Sequence, residues 1–96
     1  MTWIPTISPQ QATGELQEAY QHVYSLYPDE YRVEVDTVKR ADGTADSIVA
    51  AHSLIPKALL HSMSAYGAML SPDLPLTRAQ HEMIATVVSA LNACFY

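Results

Sequence analysis

The amino-acid sequence predicts a mostly α-helical fold in a single domain. Three segments carry apolar residues at spacings of three and four, which is the period of one helical face. Signals typical of a helix N-terminus stand near the start of these segments. Strict alternation of apolar and polar residues, the pattern of a β-strand, is confined to one short stretch. Ninety-six residues are enough for one hydrophobic core, so we expect residues 1–96 to form one domain.

The first helix is expected to end at Pro28. Ser8, Pro9 and Gln11 form a capping serine, a proline at the first helical position and a glutamine three residues after the cap. Gly14 weakens a continuous helix, so the main helix is expected to begin again at Thr13. The expected apolar face comprises Leu16, Ala19, Tyr20, Val23, Tyr24 and Tyr27.

Residues 29–43 follow a different pattern. Tyr31, Val33 and Val35 alternate with charged residues, and Asp42 and Gly43 indicate a turn. Because the sequence offers no second strand to pair with, we expect either a short extended arm near residues 29–40 that reaches another subunit, or an irregular loop.

Three further helices are expected in the second half of the chain. Asp46 is expected to cap a short helix over residues 47–52, and a longer helix is expected over residues 56–70. Thr77 and Gln80 match a capping box that opens the last helix. The apolar side of the helix at 56–70 comprises Leu59, Leu60, Met63, Tyr66, Met69 and Leu70. The expected buried face of the last helix comprises Met83, Ile84, Val87, Val88 and Leu91.

The composition limits the possible partners. Charged residues make up 16% of the chain, against about 25% in ordinary globular domains. So few charges cannot cover much surface, and we therefore expect part of the surface to be buried in a homo-oligomer. A net charge of −5 argues against binding nucleic-acid phosphates, and an apolar share of 49% argues against intrinsic disorder.

The cysteine and histidine content limits the location and the cofactors. Cys94 has no partner for an internal disulfide, and the N-terminus lacks the basic and apolar regions of a signal peptide. The apolar stretches are shorter than the roughly 20 residues that cross a bilayer. We therefore expect a cytoplasmic protein without a membrane partner. The four histidines lack a metal-like spacing, so we expect no metal site and no cofactor; His81 beside Glu82 is a weak candidate.

The end of the chain carries a more specific pattern. Residues 77–96 contain Glu82 and, twelve residues later, Cys94 followed by Phe95 and Tyr96. This stretch resembles the alkylhydroperoxidase AhpD-like, or carboxymuconolactone decarboxylase-like, superfamily, and in particular its branch of peroxidase-related proteins. Residues 3–9, 12–16 and 51–56 support the resemblance, which covers most of the chain apart from residues 28–44. It implies an all-α AhpD-like fold of which this chain is the N-terminal half, so the domain is expected to be truncated at its C-terminus.

The resemblance also implies an activity. The family motif is a glutamate, a Cys-x-x-Cys pair that begins twelve residues later, and a histidine four residues past the second cysteine. Glu82 matches the glutamate, and Cys94 matches the first cysteine. In the family the second cysteine attacks the peroxide and the first resolves it as a disulfide. The resemblance therefore implies an antioxidant oxidoreductase of the peroxidase type, with a hydroperoxide substrate, a thiol or dithiol protein as donor, and trimers or hexamers of helical subunits.

Physical chemistry sets a condition on this pair of residues. Twelve residues of unbroken helix would separate Glu82 from Cys94 by about 18 Å and by about 120° around the axis. A functional pair therefore requires a break in the helix. Because Asn92 is a favourable N-cap, we expect one helix to end near Ala90 and a new one to begin at Asn92. Cys94 would then lie in a first helical turn, where the helix dipole favours a thiolate.

Two other functions remain open at this point. The decarboxylase branch uses the same fold on a lactone acid without a redox cysteine pair, and Cys94 at the redox position argues against it. The other is a redox-inactive helical oligomer or truncated remnant, in which Cys94 is a buried small hydrophobe and Glu82 a solvated helix residue. The second cysteine and the histidine of the motif would follow Tyr96, and one cysteine cannot close a disulfide cycle. We therefore expect the 96-residue chain to lack full activity.

Overall fold

The computed structural model describes residues 3–28 and 47–94, and within these ranges it contains four helices and no strand. The helices are α1 (Gly14–Ser25), α2 (Ser47–Ala51), α3 (Pro56–Met69) and α4 (Arg78–Leu91). The predicted all-α class is confirmed for the described residues. The extended arm expected near residues 29–40 and the predicted cap at Asp46 lie outside them.

Helix α1 begins at the second of the two predicted starts. Gly14 has a φ of +56°, a left-handed conformation that glycine adopts without a steric penalty, and the chain enters α1 there from the extended N-cap Thr13. The earlier start at Ser8 forms a turn instead of a helix. The Gln11 N–H donates to the carbonyl of Ser8 at 3.0 Å, and the Ser8 hydroxyl donates to Oε1 of Gln11 at 3.3 Å.

Helices α1 and α3 pack against each other and form the core with α2. The buried residues are Ala12, Leu16, Ala19, Tyr20, Val23, Val49, Ala50 and Leu59, with Ile7, Tyr27, Leu60 and Met63 packed against them. The predicted face of α1 is therefore confirmed from Leu16 to Val23, whereas Tyr24 lies at its edge and is 40% exposed.

The predicted face of α3 is correct in its first half, whereas in its second half Leu70 is half-buried and the other two residues are exposed. Leu59 is completely buried, but Tyr66 and Met69 are exposed. The contact with α1 continues instead through Gly67, because Leu26 at the end of α1 lies 3.2 Å from the position that a Cβ on Gly67 would occupy. Met63 and Gly67 follow Leu59 at successive four-residue spacings. Tyr66 and the half-buried Leu70 lie at the edge of this contact, where they line a small pocket with Leu26.

A chain of hydrogen bonds ties the N-terminal segment to the core. The buried Tyr20 hydroxyl donates to the carbonyl of Ile7 at 2.6 Å, and the Ile7 N–H donates to Oγ of Ser53 at 2.9 Å. Ser53 is itself buried. Burial raises the pKa of Tyr20 above its ordinary value, and a hydrogen-bond contribution from Ser53 offsets part of the rise.

The expected buried face of α4 is wrong. Its five apolar residues, from Met83 to Leu91, are between 51% and 82% exposed, and the buried residue of α4 is His81. The sequence pattern correctly marks α4 as amphipathic, but no helix in the described ranges covers its apolar side. Together these five exposed residues form the apolar stripe of α4, which comprises Met83, Ile84, Val87, Val88 and Leu91. Across residues 3–28 and 47–94, no helix is both long enough and apolar enough to span a bilayer.

The raised pKa of Tyr20 predicts a pH-dependent stability. The folded protein keeps this phenol protonated to a higher pH than the unfolded chain, whose tyrosines titrate near pH 10. Below about pH 10 the phenol is protonated in both states, so its contribution to the free energy of unfolding does not change with pH. Above it the unfolded chain loses the proton first, so the free energy of unfolding falls as the pH rises.

The measurement is urea denaturation between about pH 8 and pH 11, a range that spans ordinary tyrosine titration. We expect the free energy of unfolding to fall less with rising pH in Tyr20→Phe than in the parent. Tyr66→Phe, a substitution at an exposed tyrosine, is the matched control. Its free energy of unfolding should fall with pH as steeply as that of the parent. Equal slopes in the parent and Tyr20→Phe would contradict this account.

Candidate functional site

The start of α4 is held by the capping box that the sequence predicts. The Gln80 N–H donates to Oγ1 of Thr77 at 3.2 Å, and the Thr77 N–H donates to Oε1 of Gln80 at 2.8 Å. Two N–H groups that the helix itself cannot satisfy are thus paired reciprocally. The capping box fixes the first turn of α4 just before Glu82.

Glu82 lies on the polar side of α4 and is half exposed. Its Oε1 accepts a hydrogen bond from Nε of Arg78 at 3.1 Å, an ion pair one helical turn apart. An exposed pair of this kind contributes about 0.3–0.5 kcal/mol, so it orients the carboxylate more than it stabilises the fold. The Thr86 hydroxyl donates to the backbone carbonyl of Glu82 at 2.7 Å.

Helix α4 ends in a Schellman turn that contains Ala93 and Cys94. Ala93 has a φ of +51°, in the left-handed region that usually takes glycine at this position. The Cys94 N–H donates to the carbonyl of Ser89 at 3.0 Å, and the Ala93 N–H donates to the carbonyl of Ala90 at 3.1 Å. These two bonds satisfy carbonyls that the end of the helix leaves unpaired.

The expected break between Glu82 and Cys94 is therefore present, but its form differs from the prediction. The helix ends at Leu91, one residue past the expected position. Asn92 is the C-cap, with φ −83° and ψ 1°, and not the extended N-cap of a new helix. Cys94 accordingly follows the C-terminal end of α4, where the partial charge of the helix dipole is negative and does not favour a thiolate.

The turn nevertheless places Cys94 on the same side of α4 as Glu82. Both residues line one shallow groove, together with Ala85, Thr86, Ser89, Ala90 and Ala93. Cys94 is exposed and has a free thiol. Leu91, the last residue of α4, lies nine residues after Glu82, a rise of about 14 Å along the axis, so the carboxylate and the thiol mark opposite ends of this groove. Thr86 and Ser89 place hydroxyl groups between them.

Thr86 and Ser89 were not predicted from the sequence. They stand four and seven residues after Glu82, which is the spacing of one helical side, and this spacing is the signal that could have identified them. Their connection with Cys94 depends on the left-handed turn at Ala93, and the sequence pattern contains no glycine that would mark such a turn.

The histidines lie apart from the groove. His81 is buried, and its Nε2 has no hydrogen-bond partner among the described residues, but it does not line the groove. Within residues 3–28 and 47–94, no group of three or more histidine, cysteine, aspartate or glutamate side chains could hold a metal ion.

The groove itself contains the carboxylate of Glu82, the hydroxyls of Thr86 and Ser89 and the thiol of Cys94. These groups are suited to proton transfer and thiol chemistry.

No family model, curated protein or solved structure matches the chain. The AhpD-like family stays a prediction, carried by the spacing of Glu82 and Cys94 and by the residues around them.

The geometry of the turn predicts opposite effects for two glycine substitutions. Ala93→Gly should stabilise the turn by about 1 kcal/mol, because glycine has no Cβ to oppose the left-handed conformation. Ala90→Gly, inside α4, is the matched control and should destabilise it by about 0.5–1 kcal/mol. Hydrogen exchange of the Cys94 amide, whose bond to Ser89 closes the turn, measures both changes. Faster exchange in Ala93→Gly than in the parent would show that Ala93 is not left-handed.

Proposed function

We propose that this chain takes part in the reduction of hydroperoxides by thiol–disulfide chemistry, as an AhpD-like peroxidase-related protein. Cys94 is the resolving thiol, and Glu82 is the proton relay. One observation supports the proposal above the others: an exposed thiol and a carboxylate twelve residues apart line the same groove. A cytoplasmic location suits this chemistry, because the reducing thiol pool there keeps a lone cysteine reduced.

The proposed reaction has three steps. An attacking thiolate, three residues past Cys94 in the family motif, bonds to the hydroxyl oxygen of the hydroperoxide, and the O–O bond breaks. The attacking sulfur becomes a sulfenic acid, and the other oxygen takes up a proton from solvent and leaves as an alcohol. The Cys94 sulfur then bonds to the sulfur of the sulfenic acid, whose oxygen leaves as water. Finally, a dithiol donor reduces the disulfide and is itself oxidised.

Glu82 acts in the second step. It accepts the proton of the Cys94 thiol, and a proton is returned to the departing oxygen as water forms. Because the two side chains lie at opposite ends of the groove, the proton needs intermediate carriers. We assign this role to solvent in the groove and to the Ser89 hydroxyl, which can both accept and donate a hydrogen bond. The Thr86 hydroxyl donates its own proton to the carbonyl of Glu82 and therefore contributes as an acceptor.

The apolar stripe of α4 supports a homo-oligomer. Its five large side chains are more than half exposed, which is unusual for one helix face of a monomeric protein. We assign this surface to a contact with a second copy of the chain. Leu91 stands nine residues from Glu82, which is about 180° around the helix axis, so a contact through the stripe leaves the groove open to substrate.

The proposed chemistry predicts how activity depends on the thiols and on Glu82. The 96-residue chain should not turn over a hydroperoxide with a dithiol donor, because Cys94 has no second thiol to pair with. A version extended through a second cysteine and the histidine of the family motif should do so. In that version Glu82→Gln should slow peroxide consumption by about 10²–10⁴-fold, because the relay is lost while the side-chain shape is retained.

Peroxide consumption coupled to oxidation of the donor measures these rates. Glu18→Gln removes an exposed carboxylate of α1 outside the groove and should keep the rate of its parent. Rapid turnover by the 96-residue chain would mean that Cys94 works with external thiols alone. An extended Glu82→Gln variant as fast as its parent would remove Glu82 from the mechanism. A slow extended parent with a stable fold would favour the redox-inactive oligomer.

The proposed subunit contact predicts a change of mass on substitution within the stripe. The parent should scatter light as an oligomer, and Val87→Glu with Leu91→Glu should shift it towards the monomer of 10.6 kDa, because buried like charges oppose the contact. Gln17→Glu, which adds one negative charge on the exposed side of α1, is the control and should keep the mass of the parent. A well-folded parent at 10.6 kDa would contradict the contact.

A further inference from the structure

We draw no further inference here: the strongest candidate, the open groove between α1 and α3 that is lined by Glu15, Glu18, His22 and His61, consists of solvent-exposed ionisable side chains, and nothing in the described part of the chain points to a ligand for it.

Discussion

The packing of α1 against α3 is the contact on which the rest of the described structure depends. Leu59 and Val23 are almost completely inaccessible to solvent at its centre, and Gly67 allows Leu26 to close its far end. The N-terminal segment is tied to this pair through Tyr20 and Ser53. Because the core of the described residues is built from the N-terminal segment, α1, α2 and α3, helix α4 contributes little to it and presents two surfaces outward.

These two surfaces of α4 have different chemistry. The polar side carries Glu82 and the hydroxyl groups, and the Schellman turn adds Cys94 to it. The opposite side is the apolar stripe. Between Met83 and Cys94 the chain has no charged residue, so the stripe is suited to contact with another apolar surface rather than with water. The proposed subunit contact and the proposed chemistry would therefore use different sides of one helix.

The sequence predicted those features that depend on local patterns. The start of α1 near Thr13 and the capping box at Thr77 each follow from a few neighbouring residues. The exposure of the apolar stripe could not be predicted, because periodicity identifies an apolar side but not what covers it. Asn92 was assigned to the wrong end of a helix because asparagine is favourable at both ends, and the unpaired carbonyls of α4 decide the outcome.

The proposed relay depends on the turn at Ala93, which brings Cys94 to the side of α4 that carries Glu82. A nitroxide attached to Cys94, the one cysteine of the chain, tests it directly through the broadening of nearby amide signals in NMR spectra. We predict stronger broadening at Ser89 and Thr86 than at Val88 and Ile84, which lie at similar heights on the opposite side of the helix. Stronger broadening along the stripe would place Cys94 on the wrong side and contradict the proposed relay.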